Sequence, residues 1–235
     1  MKKTLLLGLL ILLVAPPLAA QTGLQRAKAA LPRETARQFE QTVLAARKRG
    51  LPTEPLIDKA LEGVAKKVPP SVIMNAVRHK VELMTRADAA LRPFGPPTAA
   101  DVTATADVIQ RGVSQDVIKQ VRAGKRQGEP VGLSLHTVAD LLDRRVPAKV
   151  AIDVIASWRE RGGRNEELRS IPLEVDKLIR LGASPSSAGR SIAASVRQGR
   201  PPSPAGAANK PTSSRGSSAG PGSKPPEPRT REGRH

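Results

Sequence analysis

The chain has no cysteine at any of its 235 positions. That excludes disulfides, and it excludes the acylated cysteine of a lipoprotein. Tyrosine is absent too, and Phe39, Phe94 and Trp158 are the only aromatic residues. A core must therefore come from Leu, Val, Ile and Ala, which suits thin helical packing better than a β-sandwich. No stretch alternates with period two for long enough to make a strand. Beyond residue 14 no apolar run is long enough to cross a bilayer. Walker loop, dinucleotide fingerprint and zincin motif are all missing.

What is present starts at the N-terminus. Lys2 and Lys3 precede ten consecutive apolar or glycine residues, Leu5 to Val14, and then Pro16 and Pro17. At ~1.5 Å per residue this run falls short of the ~20 residues that a spanning helix needs. With small residues at Ala19 and Ala20, residues 1–20 read as a secretory signal peptide cut after Ala20. The expected location is outside the cytoplasm, periplasmic or extracellular, with no transmembrane segment in the mature chain. An exported domain without disulfides must be held by its own apolar core.

Charge is lopsided, with 39 Lys and Arg against 21 Asp and Glu, a net +18. Residues 200–235 contribute +5 of this and hold eight Pro, six Ser and five Gly, but no Val, Ile, Leu, Met, Phe or Trp. Such a segment cannot bury enough apolar surface to offset the entropy of ordering, so 199–235 is expected to be disordered. Proline-rich Arg92–Pro97 divides the remainder into an N-terminal helical unit, 21–91, and C-terminal helical hairpins, 98–198.

One phrase organises both units. It reads Arg49-Gly50-Leu51-Pro52, Lys67-Val68-Pro69, Arg111-Gly112-Val113-Ser114, Arg145-Val146-Pro147 and Leu181-Gly182-Ala183-Ser184. A basic residue complements the negative end of a helix, Gly closes it in the left-handed conformation, and the next apolar residue folds back on the last turn. Ser or Pro then opens the following helix. Flanking sets such as Leu56, Ile57, Ala60, Leu61 and Val64, or Ala188, Ile192 and Val196, keep helical spacing. Thr98 and Asp101 make a capping pair. The phrases recur at 17, 45, 33 and 37 residues, measured at the Pro or Ser. These irregular spacings predict a loose all-α array of short antiparallel hairpins, about eight or nine helices, rather than a strict solenoid.

Two short stretches resemble known proteins. Leu51 to Pro69 is similar to segments of uncharacterised exported bacterial helical proteins, which implies no activity. Asp107 to Ile118, with its Gly112-Val113-Ser114 turn, resembles the corner of LacI-type helix-turn-helix repressors. That resemblance implies phosphate contacts for Lys119, Arg122, Lys125 and Arg126. Asp116 at the start of the reading helix and the secretory segment both oppose it, so nucleic acid is disfavoured as partner.

Other motifs carry less. Gly216-Ser217-Ser218-Ala219-Gly220 matches a nucleophile elbow without the strand that such an elbow needs. His136, Asp140 and Asp143 share a helix face at metal-ligand spacing, yet a solvated face with Asp140 paired to Arg144 explains them. His79 lies between Arg78 and Lys80 as a surface group. Basic pairs such as Lys66-Lys67 and Arg144-Arg145 sit where helices end, and Glu34, Glu54, Asp101, Asp116 and Glu166 sit near starts. No catalytic, cofactor-binding or metal residue is assigned and no cofactor is expected. The sequence points to a non-enzymatic exported binding or scaffold protein of the bacterial envelope, contacting an anionic envelope component or an acidic protein. The alternative is a nucleic-acid-binding helix-turn-helix protein, and a hydrolase or metalloenzyme stands third.

Overall fold

The computed structural model describes residues 18–125 and 130–199, with side chains from residue 23 onward. Residues 1–17 of the segment expected to be a signal peptide, Arg126, the 200–235 tail and its Gly216–Gly220 string lie outside the described residues. All regular structure among the described residues is helical, as the aromatic-poor composition predicts. Ten α-helices are present there: α1 (Leu18–Ala30), α2 (Arg33–Lys48), α3 (Glu54–Ala65), α4 (Pro70–Leu91), α5 (Ala99–Gln110), α6 (Gln115–Ala123), α7 (Gly132–Asp143), α8 (Ala148–Glu160), α9 (Asn165–Arg180) and α10 (Pro185–Arg197).

They form five consecutive helix-turn-helix pairs, called hairpins below, in two layers; α1–α2, α3–α4, α7–α8 and α9–α10 pack directly together, while α5 packs mainly on α4. In the first layer α1 packs on α3, α5 on α7, and α7 on α9. In the second, α2 packs on α4, α4 on α6, α6 on α8, and α8 on α10. The layers are called odd and even below. One cluster of buried apolar residues runs between them, from Ala27 to Val196, and it includes Phe39, Leu56, Met84, Ile118, Leu141 and Ile171.

The recurring phrase makes the corners. Gly50, Lys67, Gly112, Arg145 and Gly182 all have positive φ. After each one the next amide reaches back to a carbonyl five residues earlier, as in Val113 N to Val108 O at 3.0 Å and Val146 N to Leu141 O at 3.0 Å. This is the Schellman closure, with the apolar residue buried beneath the turn in Leu51, Val113 and Val146. Ser114 and Ser184 then accept from the amides of Val117 and Ser187. Thr98 accepts from Asp101 N at 3.1 Å, and Asp101 in turn accepts from Val131 N at 2.8 Å, tying the start of α5 to the start of α7. The 17-residue spacing joins a corner between hairpins to a corner within one. The within-hairpin corners at Pro69, Ser114, Pro147 and Ser184 keep spacings of 45, 33 and 37 residues. The first is long because α4 has 22 residues and a 3-10 turn, Arg92–Phe94, follows it.

Two corners use a residue with a Cβ in the left-handed region, Lys67 at φ 54° and Arg145 at φ 61°. That conformation costs a non-glycine residue about 1–2 kcal/mol, partly returned by the extra unfolded-state freedom of Gly. Arg145→Gly and Lys67→Gly are each expected to stabilise the fold by about 0.5–1 kcal/mol. Gly112→Ala, whose Cβ meets nothing within 4 Å, is expected to cost about 1 kcal/mol through φ alone. Thermal unfolding followed by far-UV circular dichroism reads all three. Unchanged or lowered midpoints for the glycine variants would contradict the strain at these corners.

Pro172 lies inside α9 and is buried. A proline there cannot donate to the carbonyl four residues earlier. That carbonyl, Leu168 O, instead faces the Thr137 hydroxyl of α7 at 3.4 Å.

Candidate functional site

Charge divides between the layers. Helices α3, α5 and α7 of the odd layer carry Glu54, Asp58, Glu62, Asp101, Asp107, Asp140 and Asp143 against a single base, Lys59. The even helices carry 13 basic and 7 acidic residues.

Much of the odd layer's acid is already matched. Arg111, which closes α5, donates to Asp140 and Asp143 of α7 at 2.6 Å each. Arg144, which closes α7, donates to Asp176 of α9 at 2.8 Å and to Asp140 O at 2.7 Å. The hydrogen bond to Asp143 first, then Asp140, holds Arg111 protonated even more firmly than an ordinary arginine. Lys80, buried on α4, meets Asp107 of α5 at 2.5 Å. Lys59 and Lys66 hold the Glu62 carboxyl down to about 2 through their hydrogen bonds. The half-exposed Arg111 and Arg144 pairs each contribute on the order of 0.2–1 kcal/mol and, with Lys80–Asp107, fix how one hairpin sits on the next, whereas the Glu62 pairs stay within α3 and its cap.

Asp140, Asp143 and Arg144 therefore have structural partners. Asp140 pairs with Arg111 from the preceding hairpin, and Arg144 reaches forward to α9 rather than back to the Asp140 carboxylate. His136 borders a shallow groove with Pro52, Glu54, Pro55, Thr103 and Asp107, between α3 and α5. His79 is exposed, its Nδ1 3.7 Å from Glu82. The helix-turn-helix corner is present as α5, turn and α6. Arg122 donates to Phe94 O at 3.4 Å, and α6 has α4 on one side and α8 on the other within the even layer.

A different set stands out on the even layer. Lys48 of α2, Arg86 of α4, Lys119 of α6, Lys149 of α8 and Arg190 of α10 are all exposed, one on each helix. Among the described residues none of the five pairs with a carboxylate, and Arg190 bonds only the Ser186 hydroxyl at 2.6 Å. Cross-links between neighbours set their level. Arg49 donates to Thr85, Arg122 to Phe94 O and Arg159 to Val121 O, while Gly189 lies against Val146 and Val150. In this register the five fall within on the order of two helical turns of one another along the layer. With neighbouring helices 8–10 Å apart, the row spans roughly 30–40 Å. Arg37 and Arg78 add a second tier on α2 and α4, where Arg78 reaches Gln38 at 3.4 Å.

Sequence reading misses this row because its members are 30 to 41 residues apart. The signal that would find it is the same outward helical phase in every second helix. Compared with family models, curated proteins and solved structures, the chain matches none.

Proposed function

We propose that this is an exported, non-enzymatic helical binding or scaffold protein of the bacterial cell envelope, which holds an anionic partner on its even layer. The row Lys48, Arg86, Lys119, Lys149 and Arg190 carries this reading. Structural use of charge consumes a cation by pairing it, as Arg111 and Arg144 are consumed; five exposed cations without carboxylates, on one layer, are what an anionic partner would meet. The partner classes in view are lipopolysaccharide phosphates, anionic phospholipid, acidic cell-wall polymer and acidic protein.

The secretory segment supports export. Among the described residues no helix is long and apolar enough to cross a membrane. A cut after Ala20 would remove only the first residues of α1. Buried Ala27 of α1, and Leu31 just after the helix, lie beyond it. The mature protein is expected to begin at Gln21, and N-terminal sequencing of fractionated protein checks this. Met1 on protein recovered from the cytosol would refute it.

The helix-turn-helix resemblance supports a second reading, nucleic-acid binding. It requires α6 to enter a groove, whereas α6 is flanked by α4 and α8, and Asp116 is exposed at its first turn. Steeply salt-dependent binding of duplex DNA by cytosolic protein would favour that reading.

A further inference from the structure

We infer that the partner on the even layer is a single extended linear polyanion, lying across the helices and meeting one cation from each. This inference rests on the anion-binding reading above and adds the shape of the anion. A compact ligand such as one phosphate needs several donors converging on it. Here each of the five cations stands on its own helix, a step of 8–10 Å from the next, so no small anion can be gripped by three of them. A flat anionic surface fits poorly as well. Glu82, Asp116 and Glu160 are exposed on the same helices, and Asp153 is half-exposed there beside Arg197. They would face any plane that covers the layer. The described part of this layer also exposes no aromatic anchor, only Leu44 and Val72 as large apolar groups. A flexible chain can pass from Lys48 to Arg86, Lys119, Lys149 and Arg190 and bend around the carboxylates between them. Each contact is a screened surface interaction, weak alone. Linked along one chain they add, because every later contact forms at the high local concentration that the first one creates. Affinity must then grow with polymer length until the chain covers the row.

The test uses full-length protein and inorganic polyphosphate of two lengths, tripolyphosphate and a chain longer than the roughly 30–40 Å row. Titration calorimetry at low salt is expected to show the long chain binding at least ~10-fold tighter per phosphate group. Lys48→Gln and Arg190→Gln, at the two ends of the row, should each weaken the long chain by about 3-fold or more and change tripolyphosphate by less than about 2-fold. Both positions are exposed, so the variants should keep the parent circular dichroism spectrum. Equal affinity per phosphate for the two lengths would overturn the inference. So would anionic phospholipid vesicles or duplex DNA that bind tighter than the long chain at matched charge. In those cases the anion-binding reading would survive with a different partner. If the protein bound neither polyphosphate nor anionic vesicles at low salt, both would fall.

Discussion

Trp158→Ala is expected to destabilise the protein by about 3–5 kcal/mol, the largest effect of any single substitution considered. The indole ends α8 at 6% exposure, inside the buried cluster. Its Nε1 donates to Arg164 O at 3.0 Å, and Arg164 is the residue that opens α9. The corner between these helices folds over the ring so closely that a Cβ on Gly163 would come within 2.2 Å of Cδ1. Removing the side chain therefore deletes core volume, takes one of two donors from Arg164 O, which keeps the Glu167 amide at 3.1 Å, and frees the backbone that sets where α9 begins. Trp158→Phe keeps most of the volume and loses the donor, so about 1–2 kcal/mol is expected. In a layered array each hairpin packs mainly on its neighbours, so the loss should concentrate locally. Amide exchange should speed most in α9 and α10 and least in α1 and α2. Uniform acceleration along the chain would show that the hairpins unfold as one unit.

Local chemistry carried most of the fold in the sequence. Gly112 followed by buried Val113, Ser114 with the Val117 amide, and Thr98 with Asp101 are each decided within six residues, so periodicity and turn chemistry reach them. What the sequence hid is whatever depends on which helices become neighbours. Asp140 has a helix neighbour in Arg144 at i+4, and spacing alone pairs them. Arg111 wins because the α5 corner lands on α7, 29 residues away, and holds Asp140 and Asp143 together. Lys48 was concealed within Arg47-Lys48-Arg49, a run that reads as a helix end. Arg49 does serve structure, donating to Thr85 of α4, while Lys48 faces outward without a carboxylate. Nothing near Arg86, Lys119, Lys149 or Arg190 marks them as a group either. They become a row only when every second helix lies side by side.

Neutralising that row is expected to have the largest effect on binding. The fivefold variant Lys48→Gln, Arg86→Gln, Lys119→Gln, Lys149→Gln, Arg190→Gln removes charge from exposed positions and leaves the buried cluster and the Arg111 and Arg144 pairs intact. Its stability should stay within about 1 kcal/mol of the parent, since single exposed charges contribute little to folding. Its affinity for a long linear polyanion at 50 mM salt should fall by roughly two orders of magnitude or more, as cations that release counterions are lost. The basic residues of 200–235 are unchanged in the variant, so any grip they provide remains in both proteins and cancels in the comparison.

The most direct measurement of the central claim is the salt dependence of that binding. Affinity for long polyphosphate would be measured from 50 to 200 mM salt for the parent and the fivefold variant. Each neutralised contact to a single-stranded polyanion should remove about 0.7 from the slope of log affinity against log salt, so five should remove roughly 3.5. A drop of that size, with the helical spectrum preserved, is the expected result. Parallel slopes for the two proteins would contradict the even-layer row as the binding surface, whatever the absolute affinities.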